Sequence, residues 1–103
     1  MNDPQPLLAA LADPTRRAVF ERLNSKGPAS ASTLASELPV TRQAITKHLS
    51  MLDLVGLVDR SEQGREVVYS ARVAPLREVT SWLESVGDQW DARLERLKES
   101  FDE

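Results

Sequence analysis

The chain has 103 residues, of which 41% are hydrophobic and 28% charged, and its formal net charge at pH 7 is −3. This length suits one compact domain spanning residues 1–103, and the composition is that of a soluble globular protein rather than a disordered or fibrous one. The chain contains no cysteine, which excludes disulfides, thiolate nucleophiles and cysteine-based metal sites.

Two short helices are predicted at the start of the chain. The first begins at Pro6, because proline is tolerated at the first helical position. It contains the longest apolar run, Leu7–Ala12, which is far shorter than the ~20 residues of a membrane-spanning helix. With no basic cluster at the N-terminus, we expect a cytoplasmic protein without membrane insertion. Asp13 precedes a proline and caps the second helix, which runs to about Ser25.

Two further helices are separated by a tight break. Ser30 or Ser32 caps a short third helix that ends at Pro39, since the residue before a proline is disfavoured in the α region. Thr41 caps a fourth helix that runs to about Val55 and is followed by a glycine. A short helix, a break and a second helix are typical of helix-turn-helix geometry.

The fourth helix has two distinct faces. Ile45, Leu49 and Leu52 fall together at ~100° per residue and are predicted to anchor the helix in the core. The other face is polar, with no acid before Asp53, and the start of the helix favours an anion such as phosphate. An ordinary solvated surface is the alternative interpretation. The candidate DNA-contacting residues here are Thr41, Arg42, Gln43, Thr46, Lys47 and Ser50.

A β-hairpin is predicted after the fourth helix. Residues 57–61 and 66–71 are rich in β-branched side chains and flank a turn at residues 62–65. Arg60 and Arg65 would make this hairpin a DNA-contacting wing, although an arginine beside a turn glycine also serves simply to keep a turn soluble.

The final helix runs from about residue 75 to about residue 101. Residues 75–103 carry four basic and eight acidic side chains, and the acids on one side of the helix are best explained as a solvated stripe. Apolar positions recur at spacings of three and four, which is nearly a coiled-coil seam. A monomer of this size cannot cover both sides of a seam ~40 Å long. The seam positions are Leu76, Val79, Leu83, Val86, Trp90, Leu94, Leu97 and Phe101.

Enzymatic chemistry has little support. One histidine and no cysteine leave no plausible triad, and no glycine-rich phosphate loop is present. His48 lies beside the buried face of the fourth helix, where a hydrogen-bonded structural histidine is expected rather than a metal ligand. We therefore predict neither an enzyme nor a cofactor.

Four segments in this order resemble the arsenic-repressor (ArsR/SmtB) family of winged-helix bacterial transcription factors. They are Ala10–Arg17, Thr46–Leu52, Gly56–Val58 and Gly64–Tyr69. The resemblance implies a mainly α fold of about five helices, with a helix-turn-helix at about 30–55, a wing at about 57–71 and a dimerisation helix at about 75–101. It also implies a homodimeric repressor on a palindromic double-stranded operator. The implied dimer-interface residues are Leu7, Leu8, Leu11, Val79, Leu83, Val86, Trp90, Leu94 and Leu97.

The sequence lacks the metal-ligand residues that sensors of this family carry, which limits the signals that we expect it to sense. Arsenic sensors carry a Cys-x-Cys pair where this chain has Pro39, Val40 and Thr41, and zinc sensors place His and acid pairs on a last helix that here has no histidine. The chain is instead similar to the metal-independent group typified by the sporulation-delaying repressor, and the sequence specifies no effector. The alternative function is a protein-interaction module that uses the apolar last helix and does not read DNA.

Overall fold

The computed structural model describes residues 3–102, with side chains as far as residue 100, and it has the expected five helices and a β-hairpin. The elements in chain order are α1 (Gln5–Ala12), α2 (Pro14–Lys26), β1 (Ala29–Ser30), α3 (Ala31–Glu37), α4 (Arg42–Leu54), β2 (Val58–Gln63), β3 (Glu66–Ala71) and α5 (Ala74–Asp102). None of the helices within this part of the chain combines the length and the apolar character needed to span a bilayer.

The corner between α1 and α2 is held by the side chains of Asp13, Arg16 and Arg17. The Asp13 carboxylate accepts hydrogen bonds from the backbone N–H groups of Thr15 (2.9 Å) and Arg16 (3.0 Å), and these bonds lower the pKa of Asp13. Arg16 and Arg17 reach back and donate to carbonyl oxygens in the last turn of α1, at 3.3 and 3.2 Å. These hydrogen bonds therefore give partners to backbone N–H groups at the start of α2 and to carbonyl oxygens at the end of α1, which the helices themselves leave unpaired.

Hydroxyl caps define the helix-turn-helix. Ser30, rather than Ser32, caps α3 by accepting from the N–H of Thr33 at 3.2 Å. Thr41 caps α4 by accepting from the N–H of Ala44 at 3.1 Å, as predicted. Helix α3 ends at Glu37, and Leu38 is extended, as predicted for the residue before a proline.

The hydrophobic core lies beneath α4, and the other helices and the sheet also contribute side chains to it. Ile45, Leu49 and Leu52 are completely buried, which confirms the predicted anchoring face. Their orientation fixes which side of α4 remains in solvent. The core side chains contributed by the other elements are Leu7, Val19, Phe20, Leu23, Ala29, Leu34, Leu57, Val58 and Val79.

The hairpin is longer and its turn tighter than predicted. Strands β2 and β3 pair in register as far as Gln63 and Glu66, which leaves a turn of two residues, Gly64 and Arg65. Gly64 has a φ of 64° at the first central position, where type II′ turns favour glycine. The expected four-residue turn at 62–65 is therefore wrong, because polar side chains in β2 face solvent while their backbone groups pair.

A third strand, β1, was not predicted. Ala29 and Ser30 pair antiparallel with Tyr69 and Val68, giving the order β1-β3-β2. A strand of two residues is too short to show an alternating pattern in the sequence, and its partner lies some forty residues away. The pairing ties the base of the wing to the start of α3.

Helix α5 leaves the body of the protein. Its 29 residues span about 43 Å. Val79 is buried against the core, whereas every side chain from residue 87 to residue 100 is exposed. The radius of gyration is 18.7 Å, against about 13 Å for a compact domain of this length. The side chain of Phe101, the last predicted seam position, lies outside the described residues.

An ion pair links α2 to α3. The Nε and Nη2 atoms of Arg22 donate to the two carboxylate oxygens of Glu37, and Nη1 donates to the carbonyl of Gly27 at 3.0 Å. The hydrogen bond from Arg22 lowers the pKa of Glu37 below its ordinary value of 4.5. The stabilisation is therefore complete above that value and is lost as the pH falls through the folded-state pKa.

We accordingly expect Glu37→Gln to lower the Tm at pH 7 by about 2–5 °C, and the difference from the unmodified protein to shrink below about pH 4.5. Thermal unfolding followed by circular dichroism between pH 3 and pH 7 measures this difference. Glu21→Gln removes an exposed acid from α2 and serves as the control. A Tm difference for Glu37→Gln that is independent of pH would contradict the assignment.

Candidate nucleic-acid interface

The outward face of α4 is a polar surface at the front of the helix-turn-helix. All eight side chains predicted to contact DNA, six on α4 and its cap and two on the wing, are exposed. Because Ile45, Leu49 and Leu52 hold the other side of the helix in the core, this face is presented without any rearrangement. A helix inserted in this way into the major groove can reach base edges with its first turns.

Two hydroxyls on this face are already engaged. Thr46 donates to the carbonyl of Arg42 at 3.0 Å, and Ser50 donates to the carbonyl of Thr46 at 3.1 Å. Their oxygens remain available as acceptors, but the long-chain donors of the face are Arg42, Gln43 and Lys47. These three side chains are therefore the stronger candidates for direct contacts with bases and phosphates.

A groove joins α4 to the wing. Its volume is about 330 Å³, and it is lined by Arg42 and Thr46 of α4 and by Arg65 of the hairpin turn. The other lining residues are Ser30, Ala31, Ser32, Glu66, Val67 and Tyr69. Two guanidinium groups from separate elements on one concave surface are suited to an anionic backbone.

The groove brings together some of the predicted residues and adds others. Gln43, Lys47 and Ser50 lie along α4 outside the groove, and Arg60 lies on β2 opposite Tyr69, with which it shares a face of the hairpin. Ser32 was considered only as a helix cap, and its place in the groove depends on the β1–β3 pairing. Glu66 brings an acid to the groove that the α4 pattern could not reveal.

His48 differs from expectation. It is half-buried beside the core, as predicted, but its Nδ1 atom is buried without a hydrogen-bond partner among the residues that the structure describes. The prediction of a hydrogen-bonded histidine therefore fails at Nδ1, on a helix whose neighbouring side chains Ile45, Leu49 and Leu52 are apolar and buried. Across residues 3–102, no cluster of three or more His, Asp or Glu side chains could hold a metal ion.

The side chains assigned to a dimer interface fall into two groups. Leu7 and Val79 are buried in the chain's own core, and Leu11 and Val86 are half-buried. Leu8 on α1 is 41% exposed, and the exposed fractions on α5 rise above one half. Arg93 lies over the ring of Trp90, 5.2 Å from its centre. The strongly exposed apolar members are Leu83, Trp90, Leu94 and Leu97.

Comparison with known proteins agrees with this architecture. Residues 11–61 match a helix-turn-helix domain family. An ArsR-like transcriptional regulator from Rhodococcus sp. RHA1 superimposes with a TM-score of 0.84 at 43% identity, over 92% of this chain and 89% of that one. The chain belongs to the ArsR-like family of helix-turn-helix transcriptional regulators. The predicted family and fold are thus confirmed.

Two curated relatives differ in how much of their length this chain covers. The HTH-type transcriptional regulator Rv2034 of Mycobacterium tuberculosis is 47% identical over 60 residues, which are 58% of this chain and only 55% of that protein. The transcriptional repressor SdpR of Bacillus subtilis is 26% identical over 74 residues, 72% of this chain and 81% of that protein. The chain therefore spans about half the length of the first relative.

Proposed function

We propose that this ArsR-like protein is a cytoplasmic, non-enzymatic repressor that binds a palindromic operator as a homodimer. The observation that carries the proposal is the groove lined by both Arg42 of α4 and Arg65 of the wing, next to a helix face with no acid before Asp53. A domain with a net charge of −3 gains DNA affinity only where basic groups are concentrated. Here Arg42 and Lys47 lie on the outward face of α4, and Arg65 of the wing lines the same groove as Arg42.

We also assign the protein to the metal-independent group of the family, without a sensing metal or cofactor. The similarity to SdpR is low, at 26% identity. The main support is the set of side chains that could bind a metal ion. The chain has no thiol and one imidazole, and that imidazole lies half-buried on α4 rather than among carboxylates. Borderline and soft metal ions are held poorly by such a set.

The proposal is tested by binding to DNA from the promoter of its own gene and to scrambled DNA of the same composition, over a range of salt concentrations. We expect tighter binding to the promoter at every concentration. A steep salt dependence with equal affinities would indicate phosphate contact without sequence reading. The competing function, a protein-interaction module built on α5, would give no measurable binding to either DNA.

Gln43 is expected to carry base recognition. Its amide can make a bidentate contact with adenine in the major groove, which is worth ~1–3 kcal/mol of discrimination. Gln43→Ala should weaken binding to the operator by about that amount and leave binding to scrambled DNA nearly unchanged in fluorescence anisotropy. Gln89→Ala, on an exposed part of α5, is the matched control. Equal weakening on both DNAs would contradict the assignment.

Arg65 is expected to contact phosphate. Arg65→Ala should weaken binding to operator and scrambled DNA alike and reduce the slope of log affinity against log salt by about one unit. Arg77→Ala removes the same charge from an exposed position at the start of α5 and should leave the slope unchanged. If the slope for Arg65→Ala is also unchanged, this arginine is ordinary surface.

A further inference from the structure

A mostly apolar pocket lies between α1, the start of α2 and the last turns of α4. Its volume is about 400 Å³, which is within the ~300–1,000 Å³ of pockets that hold small ligands. Leu54 forms part of its wall and is 79% exposed, although it belongs to a helix whose inner face is completely buried. The chain's own fold therefore leaves apolar surface open to water here. The lining residues are Pro6, Ala9, Ala10, Arg16, Met51, Leu54 and Val55.

Arg16 brings a single positive charge to the wall of this pocket. Its Nη1 atom donates to the carbonyl of Ala10 at 3.3 Å. Its Nε atom is buried without a hydrogen-bond partner among the described residues, and the guanidinium takes no part in the ion pairs of that part of the chain. A buried donor without an acceptor is unfavourable, so this edge of the side chain favours an anionic partner.

The neighbouring acid, Asp13, does not supply that partner. Its pKa is lowered chiefly by the hydrogen bond from the backbone N–H of Arg16, and less by the bond from Thr15 and the nearby charges of His48 and Arg16. Asp13 is thus close to the guanidinium without forming an ion pair with it. The Nε and Nη2 atoms of an arginine form one edge of a planar group that matches the two oxygens of a carboxylate. Arg16 keeps this edge for an external ligand.

A second cavity, with a volume of about 270 Å³, shares the Leu54 side chain with the first pocket. Its charged lining residues are Asp3, Arg72 and Glu78, two acids and one base. An anionic head group is therefore attracted towards Arg16 and repelled from the second cavity. The exposed surface of Leu54 is left for the apolar part of the ligand.

We propose that the pocket binds a small amphipathic carboxylate, such as an unbranched fatty acid of about ten carbon atoms, with its head group on Arg16 and its chain along Met51 and Leu54. A neutral apolar ligand would leave the arginine without a partner, and a polyanion would leave the apolar wall uncovered. Met51 and Leu54 belong to α4, so the bound molecule touches the helix that presents the candidate DNA contacts.

Isothermal titration calorimetry of the full-length chain with decanoate, below its critical micelle concentration, tests the proposal. We expect saturable binding of one molecule per chain. Octanoate should bind roughly tenfold more weakly, because it buries two fewer methylene groups. Decyltrimethylammonium has the same chain with the opposite charge and should not bind measurably. Equal binding of the anionic and cationic ligands would indicate adsorption of a detergent and would overturn the proposal.

Arg16→Gln should weaken decanoate binding by about tenfold or more, because a hydrogen-bonded charge pair is lost. Arg17→Gln is the matched control, since Arg17 also donates to a carbonyl of α1, at 3.2 Å, but does not line the pocket. This control should leave the Kd nearly unchanged, and circular dichroism checks that both variants are folded. Equal weakening by the two substitutions would overturn the placement of the head group.

Leu54→Glu tests the same pocket at an exposed position, where folding does not depend on the side chain. The new acid repels the head group and removes apolar wall, so decanoate binding should again weaken by about tenfold or more. Asn24→Glu adds the same charge at an exposed position of α2 outside the pocket and should leave the Kd nearly unchanged. An unchanged Kd for Leu54→Glu would overturn the proposal. So would a lack of saturable binding, which is the result expected if a second copy of the chain covers Leu54.

Discussion

The double substitution Leu83→Glu and Val86→Glu is expected to give folded monomers and to weaken operator binding at least ~100-fold. Two subunits on one operator gain affinity because the second half-site is bound within the same complex, a gain of 10²–10⁴ that monomers lose. Leu83 is 54% exposed and Val86 half-buried, so the charges disrupt contacts between chains more than the core.

Sedimentation velocity and fluorescence anisotropy on the same samples measure the two effects. The control is Ser81→Glu with Ser85→Glu, which adds the same charge to the same helix on its opposite, exposed face. This control should dimerise and bind the operator normally. A folded monomer of the unmodified protein at micromolar concentration, or full operator binding by the Leu83 and Val86 variant, would contradict the prediction.

Leu49→Ala is expected to have the largest effect on stability. Leu49 is completely buried on the inner face of α4, and truncation of such a leucine costs about 2–5 kcal/mol, through lost burial and the cavity that remains. Small domains are stable by only ~5–15 kcal/mol, so this loss is a large share of the total. Denaturant unfolding should show a lower midpoint with an unchanged slope.

The adjacent residue provides a matched comparison. Ser50 lies on the outer face and uses its hydroxyl to donate to the carbonyl of Thr46. Ser50→Ala should change stability by no more than ~0.5 kcal/mol. If the two substitutions destabilised the protein equally, the division of α4 into a core face and an outer face would be wrong.

Local signals explain why so much of the fold could be predicted from the sequence. The caps Asp13 and Thr41 act on N–H groups two or three residues away, and Ile45, Leu49 and Leu52 repeat with the helical period. Such patterns depend only on neighbouring residues, so they predict α2, α4 and the core face of α4 without any tertiary information.

The features that were missed depend on distant parts of the chain. Strand β1 exists because Ala29 and Ser30 pair with β3, and the groove is lined by residues of α3, α4 and the hairpin that lie far apart in the sequence. The buried Nδ1 atom of His48 has no hydrogen-bond partner among the described residues, which the pattern of α4 alone could not show. These contacts join residues that are far apart in the sequence. No periodic pattern among neighbouring residues can therefore predict them.

The length of α5 has a mechanical consequence for regulation. A straight helix of about 43 Å acts as a lever arm, and tilting it by 5° at one end displaces the other end by about 4 Å. In the proposed homodimer the two copies of α4 would have to match half-sites spaced at ~34–36 Å. A shift of about 4 Å in one subunit would move its α4 out of register with the major groove. In that homodimer, a small angular change where α5 meets the body at Val79 would be amplified into a change in operator fit.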